Sequence, residues 1–147
     1  MKILIGVDDS KHSQKALEFV KQMKWPEGTR VLVVSAVREI LPVYSEVYVP
    51  PASYSERLMD DLFKHHQEMA SDAEKELRDA GFKTEAKVLQ GDPRAVIVDL
   101  ARTERADLIV VGSHGRTGLS KILIGSVASH IVAHAPCNVT VVKVPAG

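Results

Sequence analysis

The sequence predicts an α/β fold: a single-domain, doubly wound open sheet of five mainly parallel strands with helices on both faces. Short, continuous, β-branched apolar runs recur along the chain, and such runs are typical of strands buried on both faces of a parallel sheet. Segments with the apolar spacing of helices separate these runs. Because crossovers between parallel strands are almost always right-handed, this alternation folds as a doubly wound sheet. We expect one domain over residues 1–147.

The five predicted strands differ in their apolar pattern. Most are continuous runs, whereas residues 84–89 alternate more weakly between apolar and polar side chains, which suits an edge of the sheet. In chain order, the predicted strands are Ile3–Val7, Val31–Val37, Thr84–Leu89, Leu108–Val111 and Val139–Val144.

Four helices are predicted from apolar spacing and from residues that favour helix ends. Ser10 is a suitable N-cap for the first helix, and Asp92-Pro93 provides an N-cap and a first-turn proline for the third. Gly81 follows the second helix, as is common at helix C-termini. The predicted segments run from Ser10 to before Trp25-Pro26, from about Ser55 to Ala80, from Asp92 to Ala101, and through Ser126 to His134.

The composition excludes several functional classes. The net charge is zero, and lysines and arginines are scattered, so nothing predicts nucleic-acid binding. No apolar run approaches the roughly 20 residues that span a bilayer, so no membrane association is expected. Cys137 is the single cysteine and cannot form an internal disulfide, and Met1 leads into the first strand without an apolar signal region. We therefore expect a cytoplasmic protein.

The glycine series after the fourth strand is the most informative motif. Gly112-Ser113-His114-Gly115 follows the apolar run directly, and nine residues separate it from Gly125-Ser126. A turn at a strand end followed by a helix N-terminus collects backbone N–H groups that bind anions, phosphates in particular. The motif is not a P-loop, because Gly118 is followed by Leu119 rather than by lysine, and it lacks the dinucleotide-binding spacing.

The pattern Gly-x2-Gly-x9-Gly-Ser resembles the ATP-binding signature of the universal stress protein family. Three other segments resemble that family: Ile3–Ser10 its first strand and turn, Gly91-Asp92-Pro93 the entry to its third helix, and Asn138–Val142 its last strand. The resemblance implies an adenine nucleotide α-hydrolase-like sheet of strand order 3-2-1-4-5. It also implies that ATP, or ADP or AMP, binds in the crevice between strands 1 and 4.

The resemblance and the site chemistry together give a set of predicted nucleotide-binding residues. Asp8 is an acceptor for ribose or base donors, or alternatively only a helix cap. The glycines contact phosphate, or alternatively serve a tight turn with positive φ; the Ser126 hydroxyl caps a helix, binds phosphate, or does both. The predicted set is Gly6, Val7, Asp8, Ala36, Val111, Gly112, Gly115, Arg116, Gly125, Ser126 and Val127.

A magnesium ion is expected to accompany the phosphates, with Asp8 as its carboxylate ligand. A metal site made by protein alone is not expected. His130 and His134 have ligand spacing but are better explained as a solvated or core-edge pair, and His65-His66 point in different directions on a helix. His12 is expected on the surface.

The predicted function is that of a nucleotide-dependent regulatory or stress-response dimer. No catalytic residue is predicted: His114 and Arg116 lie near the phosphates, but no nucleophile and base are recognisable, so at most weak ATP hydrolysis is expected. Two alternatives remain open at this point, namely a slow ATPase or phosphotransferase that uses the same site, and a nucleotide-free dimeric adaptor.

Two surfaces are predicted to bind protein partners. The last strand is an apolar edge, and the family resemblance implies that two copies pair through it as a homodimer. Alternatively, Lys143 and Pro145 prevent pairing at this edge. The segment from Ile40 to Tyr54 is predicted to be a long loop that either covers the crevice, binds a partner or packs on its own helix. Its tyrosines are Tyr44, Tyr48 and Tyr54, and the dimer strand consists of Val139, Thr140, Val141, Val142, Lys143 and Val144.

Overall fold

The computed structural model describes residues 1–39, 51–115 and 124–145. Strands and helices alternate strictly along the chain. They are β1 (Lys2–Gly6), α1 (Lys11–Gln22), β2 (Arg30–Val37), α2 (Ala52–Asp79), β3 (Lys83–Gln90), α3 (Pro93–Thr103), β4 (Leu108–Gly112), α4 (Ser126–His134) and β5 (Asn138–Val142). The strands form one sheet of order β3-β2-β1-β4-β5, and every neighbouring pair is parallel. The predicted fold class and strand order are confirmed.

The helices cover both faces of the sheet, as predicted. Successive strand side chains point to opposite faces, so Ile3 and Ile5 of β1 join one core while Leu4 joins the other. The first core is closed by α1 and α2, chiefly through Ala16, Leu17, Val20, Ala70, Ala73 and Leu77. The second is closed by α3 and α4, chiefly through Ile97, Leu100, Ala101, Ala128 and Ile131. Burial on both faces explains why the central strands are continuous apolar runs.

Most predicted helix ends agree with the structure because they depend on local capping. Ser10 is the N-cap of α1, and its hydroxyl accepts a hydrogen bond from the Ser13 N–H at 3.1 Å. Asp92 is the N-cap of α3 and accepts from the Arg94 N–H at 2.9 Å. Gly81 ends α2 with a φ of +97°, a conformation that glycine adopts without strain.

Several boundaries differ from the prediction by a few residues, and three of these differences involve candidate site or partner residues. Helix α2 begins at Ala52 after the N-cap Pro51, so Tyr54 lies in its first turn and not in a loop; 56% of its surface is exposed. Strand β1 ends at Gly6, one residue early. Strand β5 ends at Val142, whose partner Gly112 is the last residue of β4, so Lys143 and Val144 lie beyond the strand.

Some predictions fall on parts of the chain that lie outside the described residues. These are the loop residues Tyr44 and Tyr48 and the phosphate-binding candidate Arg116. Among the helices that the structure describes, none has the length and hydropathy required to cross a membrane.

Candidate functional site

The carboxyl ends of β1 and β4 lie side by side at the centre of the sheet. Ile5 of β1 pairs with Val110 of β4, so the residues that follow each strand leave the sheet at the same edge. A Cβ atom added to Gly115 would lie 3.2 Å from Oδ2 of Asp8. The two halves of the predicted site, one after each strand, are therefore in contact.

The β1–α1 junction, residues 7–13, satisfies its polar groups with its own side chains. The Asp8 N–H donates to the Ser13 hydroxyl at 3.0 Å, and the Ser10 N–H donates to Oδ1 of Asp8 at 2.8 Å. The N-cap bond from Ser13 to Ser10 completes the set. One Asp8 oxygen is thus used inside the junction, while the other faces Gly115.

The β4–α4 junction is built around the buried residue Ser113, which is 2% exposed. Its N–H donates to the Val142 carbonyl at 2.8 Å, and its own carbonyl accepts from the Gly125 N–H at 2.6 Å. The second bond joins the residue that follows β4 to the residue that precedes α4. It brings the N-terminus of α4 against Gly112–Gly115, as an anion site requires.

The N-terminus of α4 differs from the predicted capping pattern. Gly125 is the N-cap and no side-chain hydrogen bond caps the helix, while Ser126 is the first helical residue and is exposed. Of the two roles considered for the Ser126 hydroxyl, capping of α4 is therefore wrong, and phosphate binding stays a prediction. The first intrahelical bond runs from the Ser129 N–H to the Gly125 carbonyl, so the N–H groups of Ser126, Val127 and Ala128 have no partner within the helix.

Two glycines of the motif, Gly112 and Gly125, lie in close contact with the backbone of neighbouring segments. Among the described glycines, positive φ occurs at Gly28, Gly81 and Gly91, and Gly112, Gly115 and Gly125 do not need glycine for that reason. A Cβ at Gly112 would lie 2.7 Å from Cβ of His12 and 2.8 Å from its carbonyl carbon. A Cβ at Gly125 would lie 3.1 Å from the Ser113 carbonyl oxygen. Part of the glycine pattern therefore serves contacts within the chain itself.

Two histidines meet the Ser113 hydroxyl inside this junction. Nδ1 of His12 and Nδ1 of His114 each lie 3.1 Å from Oγ of Ser113, and the ring centroids are 5.0 Å apart. His12 is half-buried, and its contact with Ser113 was not predicted. Burial lowers the pKa of His12, the charges of His114 and Lys11 lower it further, and Asp8 acts in the opposite direction.

The sequence did not predict that these three residues, the His12–Ser113–His114 cluster, lie together. His12 and the central residue Ser113 are 101 positions apart in the chain. The available signal was that each of the two predicted site segments contains a histidine and a serine.

The remaining predicted contacts lie around the same edge. Val7 and Val111 are buried, and the Val7 N–H donates to the Val34 carbonyl at 2.9 Å. Gly6 pairs with Val34, so Ala36 extends two residues beyond that pair and is half-buried. These residues thus supply mainly backbone and shape.

No metal centre made by protein alone is present in residues 1–39, 51–115 and 124–145: no three His, Cys, Asp or Glu side chains cluster suitably there. The rings of His130 and His134 stack on α4 with centroids 4.3 Å apart. His66 places Nδ1 2.6 Å from Oγ of Ser35, whereas Nε2 of His65 lies 3.6 Å from Oδ2 of Asp9. The adjacent histidines therefore serve separate contacts, as predicted.

A groove of about 570 Å³ lies on the α2 side of the β1–α1 junction. Its lining includes Leu17 and Met69 together with the carboxylates of Asp9, Glu68 and Asp72. These negative charges oppose an anionic ligand. The β4–α4 junction is therefore the better candidate for phosphate.

The fold and this edge define a class of protein: a five-stranded parallel α/β domain with a glycine-bounded helix N-terminus at its central crevice. Residues 1–143 match the profile of the universal stress protein family. The chain belongs to the universal stress protein family.

Individual relatives agree with this assignment. MJ0531, a universal stress protein of Methanocaldococcus jannaschii, is 42% identical over 96 residues, which are 65% of this chain and 56% of that relative. MJ0577 of the same organism is 30% identical over 152 residues, 97% of this chain and 94% of that relative. A solved structure of MJ0577 superposes with a TM-score of 0.86, covering 99% of this chain and 97% of that one. The universal stress protein from Archaeoglobus fulgidus, solved in complex with dAMP, is 26% identical with a TM-score of 0.68, covering 97% and 98%.

Proposed function

We propose that this protein binds an adenine nucleotide in the crevice between the carboxyl ends of β1 and β4, with the phosphates at the N-terminus of α4. The observation that carries the proposal is the bond from the Gly125 N–H to the Ser113 carbonyl at 2.6 Å. That bond holds a helix N-terminus without a side-chain cap beside Gly115 and Asp8. The complex of the Archaeoglobus fulgidus relative with dAMP supports the choice of an adenine nucleotide.

Each part of the site has a role that suits its chemistry. The N–H groups of Ser126 and Val127 and the Ser126 hydroxyl donate to phosphate oxygens, an interaction that the helix dipole strengthens. The Asp8 carboxylate accepts from ribose hydroxyls, and the backbone near Ala36 receives the base. Arg116, outside the described residues, is the proposed cationic partner of the phosphates.

A magnesium ion fits this arrangement only together with a triphosphate or diphosphate. Asp8 offers one carboxylate oxygen toward Gly115, and no cluster of three ligand side chains occurs in the described part of the chain. Because Mg²⁺ usually takes phosphate oxygens, waters and one or two carboxylates, Asp8 and the phosphates would hold it jointly. The ion would neutralise part of the negative charge of the phosphates.

Thermal unfolding with nucleotides tests the proposal. ATP, ADP, AMP and dAMP are added with and without Mg²⁺, and guanosine nucleotides and inorganic phosphate serve as controls. A ligand at about 100 times its Kd stabilises the native state by about 2.7 kcal/mol, which raises the Tm by roughly 5–10 °C for a domain of this size. A Tm unchanged by every adenine nucleotide at millimolar concentration contradicts the proposal.

We further propose a homodimer that pairs the outer edges of two β5 strands. In the described residues β5 pairs only with β4, and Val132 of the adjacent helix α4 is 55% exposed. The Val142 carbonyl accepts from the Ser113 N–H, so Val142 faces β4, and the N–H of its neighbour Val141 points to the open edge. Binding of nucleotide would regulate a partner only if it favoured one of two states of this dimer.

The orientation of Val141 provides a specific test of the dimer. Val141→Pro removes an N–H from the open edge while leaving the bonds to β4, so the monomer should fold but not pair. Light scattering should give the dimer mass for the wild type and the monomer mass for the variant. A monomeric wild type, or an unchanged dimer in a folded variant, refutes the proposed pairing.

A further inference from the structure

The His12–Ser113–His114 cluster joins helix α1 to the candidate phosphate site. Ser113 is buried at 2% exposure, and its hydroxyl lies 3.1 Å from an Nδ1 atom of each histidine. Its backbone is fixed on both sides, by β5 through Val142 and by α4 through Gly125. The hydroxyl therefore has little freedom to choose other partners.

Counting protons limits the states that this cluster can adopt. A serine hydroxyl carries one hydrogen and donates to only one Nδ1, so the other Nδ1 must carry a proton and donate to the hydroxyl oxygen. One added proton is accommodated, because an imidazolium donates through Nδ1 while the hydroxyl donates to the neutral ring. A second added proton leaves the hydroxyl hydrogen without a nitrogen acceptor and sets two cations 5.0 Å apart.

Several groups around His12 oppose a positive charge on its ring. Helix α1 contributes Lys11 and its own N-terminal dipole, since His12 lies in its first turn. Helix α4 contributes its N-terminus: a Cβ at Gly125 would lie 3.8 Å from Cδ2 of the His114 ring. Strand β5 contributes the Val142 carbonyl to Ser113, and the negative charge of Asp8 acts on His12 in the opposite direction. The pKa of His12 is lowered, so burial and the neighbouring positive charges outweigh the effect of Asp8.

We propose that a phosphate group bound at the N-terminus of α4 draws one proton onto the His12–Ser113–His114 cluster, so that nucleotide binding takes up a proton and tightens as the pH falls. The inference rests on the proposed nucleotide site and assigns a regulation to it. A negative phosphate beside His114 favours the protonated form of the cluster, because a cationic ring then has an opposite charge nearby. If one full proton is taken up, the affinity changes by about tenfold per pH unit, which is the upper limit for this cluster.

Isothermal titration calorimetry with AMP measures the proton uptake directly. Titrations at about pH 7.5 in two buffers of different protonation enthalpy give the number of protons taken up, and Kd is followed between about pH 6.5 and 8.5. The AMP phosphate itself titrates near pH 6, but this contribution is common to all variants. On binding AMP, the wild type should take up more protons than His12→Gln, His114→Gln or Ser113→Ala. Its affinity for AMP should fall several-fold for each unit by which the pH rises. His134→Gln, at the exposed end of α4, is the matched control and should behave as wild type.

The outcomes separate this inference from the proposed function. Absence of AMP binding at every pH overturns both. Binding with equal proton uptake in the wild type and in all three variants overturns the proton linkage alone.

A measurement on the wild type avoids dependence on variants that fail to fold. Histidine-ring NMR signals at about pH 7.5 should move toward the imidazolium position for His12 or His114 when AMP is added, while the His134 signal stays in place. Unmoved signals from both cluster histidines at saturating AMP overturn the inference.

Discussion

The β1–α1 and β4–α4 junctions deliver helix N-termini to the same edge of the sheet, but only the first is closed by side chains. Ser10 caps α1 and Asp8 accepts from the Ser10 N–H, whereas Gly125 precedes α4 without a side-chain cap. The β3–α3 junction follows the first pattern, because Asp92 caps α3. Helix N–H groups remain available to a ligand where a glycine replaces the capping residue.

The largest expected effect is on nucleotide affinity at the β4–α4 junction. Gly125→Val should weaken AMP binding by about 100-fold or more, because the new side chain pushes the Ser113 carbonyl, 3.1 Å from its Cβ, away from the N–H groups proposed to bind phosphate. Calorimetry measures the loss. Gly125→Ala is the matched control with a smaller expected loss, and wild-type affinity in the folded valine variant would place the nucleotide elsewhere.

The contact between the two junctions should be nearly as sensitive. Gly112→Ala places a Cβ 2.7–2.8 Å from His12, including its backbone, so α1 must shift away from β4. We expect a loss of about 1–3 kcal/mol in the free energy of unfolding, measured by urea denaturation. Gly115→Ala is the comparison variant: its Cβ would meet only a side-chain oxygen of Asp8 at 3.2 Å and should cost less. Equal losses of unfolding free energy in the two variants would contradict a particular requirement for glycine at position 112.

Removing the cap from the β1–α1 junction tests the other side of the comparison. Ser10→Ala deletes the acceptor of the Ser13 N–H and should lower the free energy of unfolding by about 1 kcal/mol. Ser129→Ala, at an exposed position within α4, should be close to neutral. A neutral Ser10→Ala would mean that water replaces the cap without cost.

The smallest effect is expected at the β3–α3 junction and depends on pH. Hydrogen bonds from the Arg94 side chain, and then from its backbone N–H, lower the pKa of Asp92 from 3.8 to about 2. A lowered carboxyl pKa contributes stability that is fully present above about pH 4 and is lost as the pH falls through about 2. Because the Asp92–Arg94 pair is more than one-third exposed, solvent screening keeps the contribution below about 1 kcal/mol.

Asp92→Asn isolates this charge effect, since asparagine is also a good N-cap. The difference in unfolding free energy between wild type and variant should shrink as the pH is lowered from about 5 to about 2.5. Urea denaturation across this range measures it. A difference that is constant with pH would assign the effect to the cap alone.

Local signals account for most of the fold that the sequence predicted. The β-branched runs identified the strands, and Ser10, Asp92 and Gly81 marked helix ends correctly because each acts within a few residues of its own position. The start of α2 was wrong because Pro51 has no side chain that caps a helix, so no capping signal marked it. The meeting of the segments after β1 and β4 was predicted from the strand order that the family resemblance implies, because neighbouring parallel strands leave the sheet at the same edge.

The sequence by itself thus determined the strands, their burial on two faces and the glycine series after β4, all properties of short segments. The tertiary structure alone decided which glycine packs on which neighbour: Gly112 on His12, and Gly125 on the Ser113 backbone. It also decided that His12 and His114 share one buried hydroxyl. Those contacts join residues up to 101 positions apart, and their distances depend on how α1 and α4 pack against the sheet, which no local pattern encodes.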